Sequence, residues 1–466
     1  MLNCYGNRCL NYTQYQNPTF STKTCMPTMT SQKGPPSCIL AVNAGSSSLK
    51  LQLFSVGRSD TIASDLVPKL LLKSAVSNLA SPPAKFTFQN FEKHGHSIES
   101  QDLKDIQSVV GAFEFFLKFL RKDRSGVRES QVDEITHICH RVVHGGEVGE
   151  RGPLVMDSRT LKLLEEVISL APLHNGPADL IMKAALKSFP KATNVAFFDS
   201  SFHNSLPDFI RVYPIDQKVA KARKLRKYGF HGLSYHWILK NVAGFLGKDE
   251  NETSIIALHL GSGASMCAIK NGKSFDTTMG LTPLEGLPGG SRSGTIDPSL
   301  IFHYSSRPAD SDKVSSVELS HAESILNLSS GFKGLAGTSD FSEILATDPP
   351  TSESLLAINL FLDRILSFFG SYWLKLDGGK GGIDAVVFAG GIGEGSSTFR
   401  EMIVKGLDGL NGNFDGMDSE KNRNGSESCE VVYSVGDGIG KIRLLVCKTN
   451  EELEMTEECL RDDRLW

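Results

Sequence analysis

Four stretches of the chain set charged or polar side chains where apolar runs give way to glycine or serine. "HICHRVVHGG" (137–146) puts Arg141 and His144 beside a Gly-Gly turn, and "GGSRSGTIDP" (289–298) places Arg292 in a second glycine-rich loop. An arginine at a glycine turn can approach a small anion closely, and its planar fork matches carboxylate or phosphoryl oxygens. The ordinary alternative is a solvated surface arginine, and two arginines in such loops shift the balance toward anion binding. "VAFFDSSFHNSLP" (195–207) sets Asp199 at the end of an apolar run, and "RKYGFHGLSYH" (226–236) sets His231 between Phe230 and Gly232. Asp199 is a functional carboxylate or a turn and capping residue; His231 is an acid-base group or a satisfied core imidazole.

Three glycine-rich turns supply the positioning elements. "ILAVNAGSSSLKLQLF" reads as a buried strand at 39–42, a tight turn and a returning strand at 49–54. "SIIALHLGSGASMCAIKNGK" repeats the pattern, with a strand at 255–258, a turn at 261–265 and a return that ends at Asn271-Gly272. Aligning Gly45 with Gly261 places Asn43 opposite His259 and Ser46 opposite Ser262, which suggests two halves built on one plan. The third turn, "AGGIGEGSS" (389–397), lies between a strand at 383–388 and a helix at 398–406. Free N–H groups at such a turn and helix start can cradle an anion, although a single turn of this kind is equally an ordinary connection. Helical periodicity at 107–121, 158–170, 177–188, 234–246 and 354–373 alternates with strands, which predicts α/β layers with mixed sheets. The polar stretches 305–316 and 411–428 read as surface loops.

With 466 residues, 40% hydrophobic and 22% charged, the chain can bury a large core and is long enough for two domains. A net charge of −4 argues against neutralising nucleic acid or an anionic membrane, so any anion site is local. The nine cysteines show no paired metal-ligand spacing, which favours a reducing compartment. No apolar run approaches the length of about 20 residues needed to cross a bilayer; even 109–120 is interrupted by Glu114 and Lys118. Residues 1–37 carry Arg8, Lys23 and Lys33 and no acidic residue. They read as a disordered N-terminal extension of a cytoplasmic protein, or as a transit peptide of a mitochondrial one.

"VNAGSSSLK", "HRVVHGG", "FFDSSFHNSLP", "RKYGFHG", "HLGSGAS", "DTTMGLTPLEGL", "SRSG", "AGGIGE" and "TNEEL" occur in the order found in acetate kinases, and the chain resembles that family from about residue 38 to 453. The wording "APLHN", "KLRKYGFHGLSY" and "GLPGGSRSG" is most similar to the fungal branch. The resemblance implies a fold shared with actin, hexokinase and the heat-shock chaperone ATPases: two duplicated, ribonuclease H-like domains of mixed sheets flanked by helices, with nucleotide in the cleft. Its halves would be 38–203 and 204–451, the second on the nucleotide side, with 452–466 as a last helix and tail returning to the first half. The implied reaction is ATP + acetate ⇌ ADP + acetyl phosphate in a homodimer, dependent on Mg²⁺ with Mn²⁺ as a substitute.

Carried onto this sequence, the resemblance assigns Asn43 and Glu451 to the metal shell, and Ser46, Ser48 and Lys50 to the phosphates. Arg141 and Arg292 would clamp the carboxylate and the transferring phosphoryl group, His231 would donate to its equatorial oxygens, and Asp199 would orient the attacking side. Val143, Leu173, Phe230 and Pro283 would wall the methyl group. The nucleotide would meet His259, Leu260, Gly261, Ser262 and Gly263, then Asp340, Phe341 and Ser342, then Gly391, Ile392, Gly393, Glu394 and Gly395. Phosphoryl transfer suits such a set because it depends on alignment and charge stabilisation, and acetate, already ionised, needs no strong base. The chain departs from the family pattern at Ser262 and Gly395, where Asn is usual, at Ser342, where Arg is expected, and at Thr295, where Asp is common. A propionate or butyrate kinase, a pyrophosphate-dependent enzyme, and a non-catalytic ATP-binding module are the alternatives.

Overall fold

Continuous apolar runs predict strands buried on both faces, and the computed structural model has two sheets built around such strands. It describes residues 37–45, 47–58, 66–79, 81–92, 96–121, 132–168, 172–305, 321–410, 417–424, 430–437 and 442–466. Ser46, all but Ser37 of the expected extension, and most of both predicted surface loops lie outside them.

The first sheet contains β1 (Ser37–Ala44), β2 (Leu49–Arg58), β3 (Leu66–Ser77), β4 (Ala84–Asn90), β5 (Ser97–Leu103), β6 (Ile135–Val142), β7 (Leu154–Val155) and β8 (Thr193–Phe198), ordered β5-β4-β3-β2-β1-β6-β8-β7. The second contains β9 (Ile255–His259), β10 (Ser265–Lys270), β11 (Lys273–Thr277), β12 (Ala385–Ala389), β13 (Val432–Asp437) and β14 (Arg443–Cys447), ordered β11-β10-β9-β12-β14-β13. In each, three consecutive strands pair antiparallel as a meander, and two later strands add parallel to the first of the three: β3-β2-β1-β6-β8 in one sheet and β11-β10-β9-β12-β14 in the other. The repeat seen in the two glycine-turn hairpins therefore extends to whole sheets, the duplicated actin-like plan.

Helices cover both faces of each sheet, as a layered α/β fold requires. Phe113 and Phe116 of the helix Val109–Leu120 and Ile181 of the helix Pro172–Ser188 pack on Leu40, Leu51 and Phe86. The helix Glu451–Arg461 returns to the opposite face, where Met455 and Cys459 meet Ile39 and Cys139. In the second sheet, Phe361 and Ile365 of Ser352–Lys375 join Phe399 of Ser397–Gly406 against Leu258 and Val386. Ile238 and Val242 of the helix Gly232–Leu246 cover Ile255 and Val387 on the other side. The sheets belong to one compact unit, Pro36–Trp466.

Several elements differ from the sequence reading for identifiable reasons. β5 is polar apart from Ile98 and Leu103, because an edge strand largely exposed to solvent needs no apolar alternation. The helix Pro172–Ser188 begins five residues before the predicted start, since its first turn is tied down by polar bonds: Asn175 accepts from the His144 amide (2.9 Å) and donates to its carbonyl (2.8 Å). The helix Ser352–Lys375, 24 residues with mean hydropathy 1.3 over its most apolar window, is long and apolar enough to cross a membrane, which the sequence reading did not anticipate. Its buried face carries Ala357, Phe361, Ile365 and Phe369, which pack on the second sheet, so its length serves the core.

Three buried histidines make the fold acid-sensitive. His140 bonds Asn194 Oδ1 (2.8 Å), His203 bonds Ser274 Oγ (2.7 Å) and the Phe230 carbonyl (2.9 Å), and His144 bonds the Leu281 carbonyl (3.0 Å). Burial lowers each to about 4. The folded pKa lies below the unfolded one, so the unfolded chain takes up protons first as pH falls through 6.5. Each histidine is then expected to cost the fold about 2 kcal/mol between pH 7 and pH 5. Urea unfolding at the two pH values tests this, and equal stabilities would contradict it.

Candidate active site

Both glycine-turn hairpins point into one cavity of about 450 Å³. Gly45, Ser47, Ser48 and Lys50 line it from the first, where the Gly45 amide donates to the Ser48 carbonyl at 2.8 Å. His259, Gly261, Ser262 and Gly263 line it from the second. Arg141, Val143, His174, Asp199, Phe230, His231, Pro283, Arg292, Thr449, Glu451 and Glu452 complete most of the wall.

Arg141, near the end of β6, is the hub of one side. Its Nε and Nη2 edge donates to Asp199, with Nη2 2.7 Å from Oδ2, and its Nη1 donates to Glu451 Oε2 (3.0 Å) and Asn43 Oδ1 (3.3 Å). Asn43 in turn donates to Glu451 (2.9 Å) and Glu452 (3.0 Å). Asp199, 1% exposed, follows β8. Burial raises its carboxyl, and the charge and two-bond contact of the Arg141 guanidinium oppose the rise without cancelling it. Burial also pushes Glu451 up, but Arg141, His259, the Ser234 hydroxyl (2.6 Å) and Lys50 outweigh it and hold the carboxyl at about 2. The guanidinium is therefore committed largely to protein carboxylates, where the sequence reading has it clamping substrate.

Arg292 is in the opposite condition. Its Nη1 lies 3.5 Å from the Pro283 carbonyl, and no ion pair with it is found among the described residues. Burial and the nearby Arg141 lower it to about 10, so it remains a cation at neutral pH. Gly263 makes room for it, since a Cβ there would fall 2.1 Å from Nη2. His231 sits close by in the left-handed region (φ 59°) at the start of the helix Gly232–Leu246. That turn is set by a close approach: the Gly232 amide donates to the Asp199 carbonyl (2.9 Å), and a Cβ on Gly232 would lie 2.0 Å from that oxygen. Burial, with His259, Arg141 and Arg292, lowers His231 far below the usual imidazole value, so it is neutral. Its ring lies 4.3 Å from His259, whose buried Nδ1 has no hydrogen-bond partner among the described residues.

A second cavity of about 750 Å³ adjoins the first and shares Gly261, Ser262 and Gly391 with it. Asp340, Phe341, Ser342, Ile392 and Gly395 line it, as do Ser396, Ser397 and Thr398 at the start of the helix Ser397–Gly406. The expected glycine turn is a short helix, Gly390–Gly395, whose Ile392 and Gly393 amides donate to the Leu260 carbonyl (2.8 and 3.1 Å). Glu394 Oε1 accepts from the Gly390 amide (2.9 Å) and the Thr449 hydroxyl (3.0 Å), tying that turn to the segment that carries Glu451. Asp340 Oδ1 accepts from the Ser342 amide (2.8 Å) and hydroxyl (2.5 Å), capping the next helix.

Most predicted site residues thus converge, with differences that have structural causes. Leu260, Gly393 and Glu394 support the turns from behind, and Asn43 sits behind Arg141. Leu173 does not line the cavity; its neighbour His174 does. Ser46 lies outside the described residues. Sequence reasoning missed His174, Ser234, Thr449 and Glu452. Ser234 stands three positions after His231, helical spacing that turns both toward one region.

Comparison with known proteins gives a consistent picture. The sequence model described as the Acetokinase family matches residues 38–457. A protein of Emericella nidulans named "Probable acetate kinase" is 43% identical over 436 residues, covering 92% of this chain and 99% of that one. The crystal structure of a propionate kinase from Francisella tularensis superposes with a TM-score of 0.74 at 31% identity, covering 91% of this chain and 98% of that one. The acetate kinase structure from Porphyromonas gingivalis has a TM-score of 0.71 at 29% identity, with the same coverage.

Proposed function

The chain belongs to the acetokinase family, and from that premise we propose that it transfers a phosphoryl group from ATP to acetate at the inner cavity, giving acetyl phosphate and ADP. The observation that carries this reading is Arg292, a half-buried cation with no carboxylate partner among the described residues, aimed at the cavity where the neutral His231 also sits. An anion must supply the missing charge, and a transferring phosphoryl group develops charge on its equatorial oxygens. Val143, Phe230 and Pro283 leave an apolar wall for a short acyl group, and the outer cavity has room for the nucleoside.

The lining carries Lys50, Arg141 and Arg292 together with Asp199, Glu451 and Glu452, and the carboxylates gather round Arg141. Glu451, which lines the cavity and is ionised to low pH, is a hard oxygen donor that fits Mg²⁺ or Mn²⁺ shared with substrate phosphates, whereas Asn43, expected beside it in the metal shell, lies behind Arg141 with its Oδ1 accepting from that guanidinium. When bound, the ion would neutralise phosphate charge; Arg292 and His231 would hold the phosphoryl oxygens, and Asp199 would act by orienting Arg141. A homodimer and a reducing, cytoplasmic setting belong to the same reading. The exposed apolar residues Phe209, Val212, Ile215 and Val219 offer a surface for the first, and the buried thiols of Cys139, Cys267, Cys447 and Cys459, none in a disulfide, support the second.

A panel of donors and acceptors tests the proposal: ATP, GTP and pyrophosphate against acetate, propionate and butyrate. ATP with acetate is expected to lead. Propionate should be poorer in kcat/KM by about 10-fold or somewhat more, since an apolar pocket discriminates one methylene by only about 1–3 kcal/mol. Turnover with pyrophosphate alone would overturn the choice of donor.

A further inference from the structure

The sequence singles out His231 and the structure makes it neutral, but a neutral imidazole has two tautomers, and only one can donate from Nε2 into the cavity. The Nε2 edge faces the inner hairpin, 3.6 Å from the point a Cβ on Gly263 would occupy, beside the guanidinium of Arg292. The other edge is turned into the core, where His231 Nδ1 lies 2.8 Å from Ser265 Oγ and Ser265 Oγ lies 2.5 Å from Tyr235 Oη. Ser265 and Tyr235 are both fully buried.

We propose that Tyr235 and Ser265 form a hydrogen-bond relay that fixes His231 as the Nε2–H tautomer, so that the imidazole enters the reaction as a neutral donor. This rests on the phosphoryl-transfer reading of the cavity.

Proton accounting sets the direction. The phenol's other neighbours are the backbone amide of His259, a donor, and the Cys267 thiol, whose sulfur bonds Ser274 Oγ (3.5 Å), so among the described residues its proton has Ser265 Oγ as its hydrogen-bond acceptor. Burial keeps that phenol protonated. Having accepted from Tyr235, the serine hydroxyl turns its single proton to His231 Nδ1, which must therefore be the unprotonated nitrogen. In the other tautomer Ser265 Oγ would accept from both His231 Nδ1–H and the phenol, and its own proton would be left with no acceptor among the described residues, the costlier arrangement. The relay also spans the fold: Tyr235 lies one turn along the helix that begins after His231, and Ser265 is the first residue of β10, so the tautomer is set by the packing of that helix on the second sheet. Tyr235 and Ser265 are positioning residues, since they act through His231.

The test is spectroscopic and kinetic. Long-range ¹H–¹⁵N spectra of full-length protein labelled at histidine, assigned with His231→Gln, are expected to show His231 protonated at Nε2 and bare at Nδ1. Tyr235→Phe and Ser265→Ala should mix the tautomers and lower kcat by about 10- to 100-fold, less than the loss of a whole oxyanion donor, with the KM for ATP and acetate little changed. Ser265→Thr should restore most of kcat. A wild-type His231 protonated at Nδ1 would overturn the proposal, as would a Tyr235→Phe enzyme with wild-type kcat. Should Ser265→Ala fail to fold, the wild-type spectrum and Tyr235→Phe still decide. Absence of ATP and acetate turnover in the wild type would overturn the functional reading instead, and the spectrum would still decide the tautomer.

Discussion

Arg292→Ala is expected to lower kcat/KM with ATP and acetate by about 10³-fold or more, with a melting temperature no lower than that of the wild type. The two halves of this expectation have one cause. The guanidinium is half-buried and lies 3.5 Å from the Pro283 carbonyl, and among the described residues no carboxylate offsets its desolvation. Removing it deletes little native interaction and relieves an uncompensated charge near Arg141. The same charge is what a transferring phosphoryl group would engage. Activity assays and thermal unfolding on one preparation check both halves. Retained acetyl phosphate synthesis would revive a non-catalytic ATP-binding role, and a collapse in stability would make Arg292 a structural residue.

Arg141→Ala should fail in a different way. Arg141 donates to Asp199, Glu451 and Asn43, and Asp199 is 1% exposed, so deletion leaves the buried Asp199 carboxylate without its paired cation and Glu451 with Lys50 alone among the cationic side chains that oppose its charge. Breaking a buried pair from one side costs about 3–5 kcal/mol, so this variant should lose stability as well as activity. Denaturant unfolding of the two variants separates the roles. If Arg141→Ala were as stable as Arg292→Ala, Arg141 would not be the structural hub its bonds imply.

Much of this was legible in the sequence because the chemistry sits where local patterns change. The hairpin repeat between "VNAGSSSLK" and "HLGSGAS" predicted the duplication, since a glycine turn between two apolar strands has few other uses. The resemblance put names on residues that, taken singly, had bland readings: Asp199 and His231 could each have been core residues. What stayed hidden depends on contacts distant in sequence. That Arg141 is satisfied and Arg292 is not follows from Glu451, 310 residues from Arg141, reaching one guanidinium and leaving the other bare. The "GIGEG" stretch reads as a loop because its glycines disfavour helix, yet the Leu260 carbonyl holds it as one. β5 was invisible because five of its seven residues are polar, and the relay through Ser265 was invisible because nothing local links position 265 to His231.

The most direct measurement is ³¹P NMR of wild-type protein with ATP, Mg²⁺ and acetate. The proposed chemistry predicts acetyl phosphate appearing in step with ADP, with no inorganic phosphate beyond that from its slow hydrolysis. ATP left unchanged, or ADP formed with inorganic phosphate and no acetyl phosphate, would contradict phosphoryl transfer to a carboxylate.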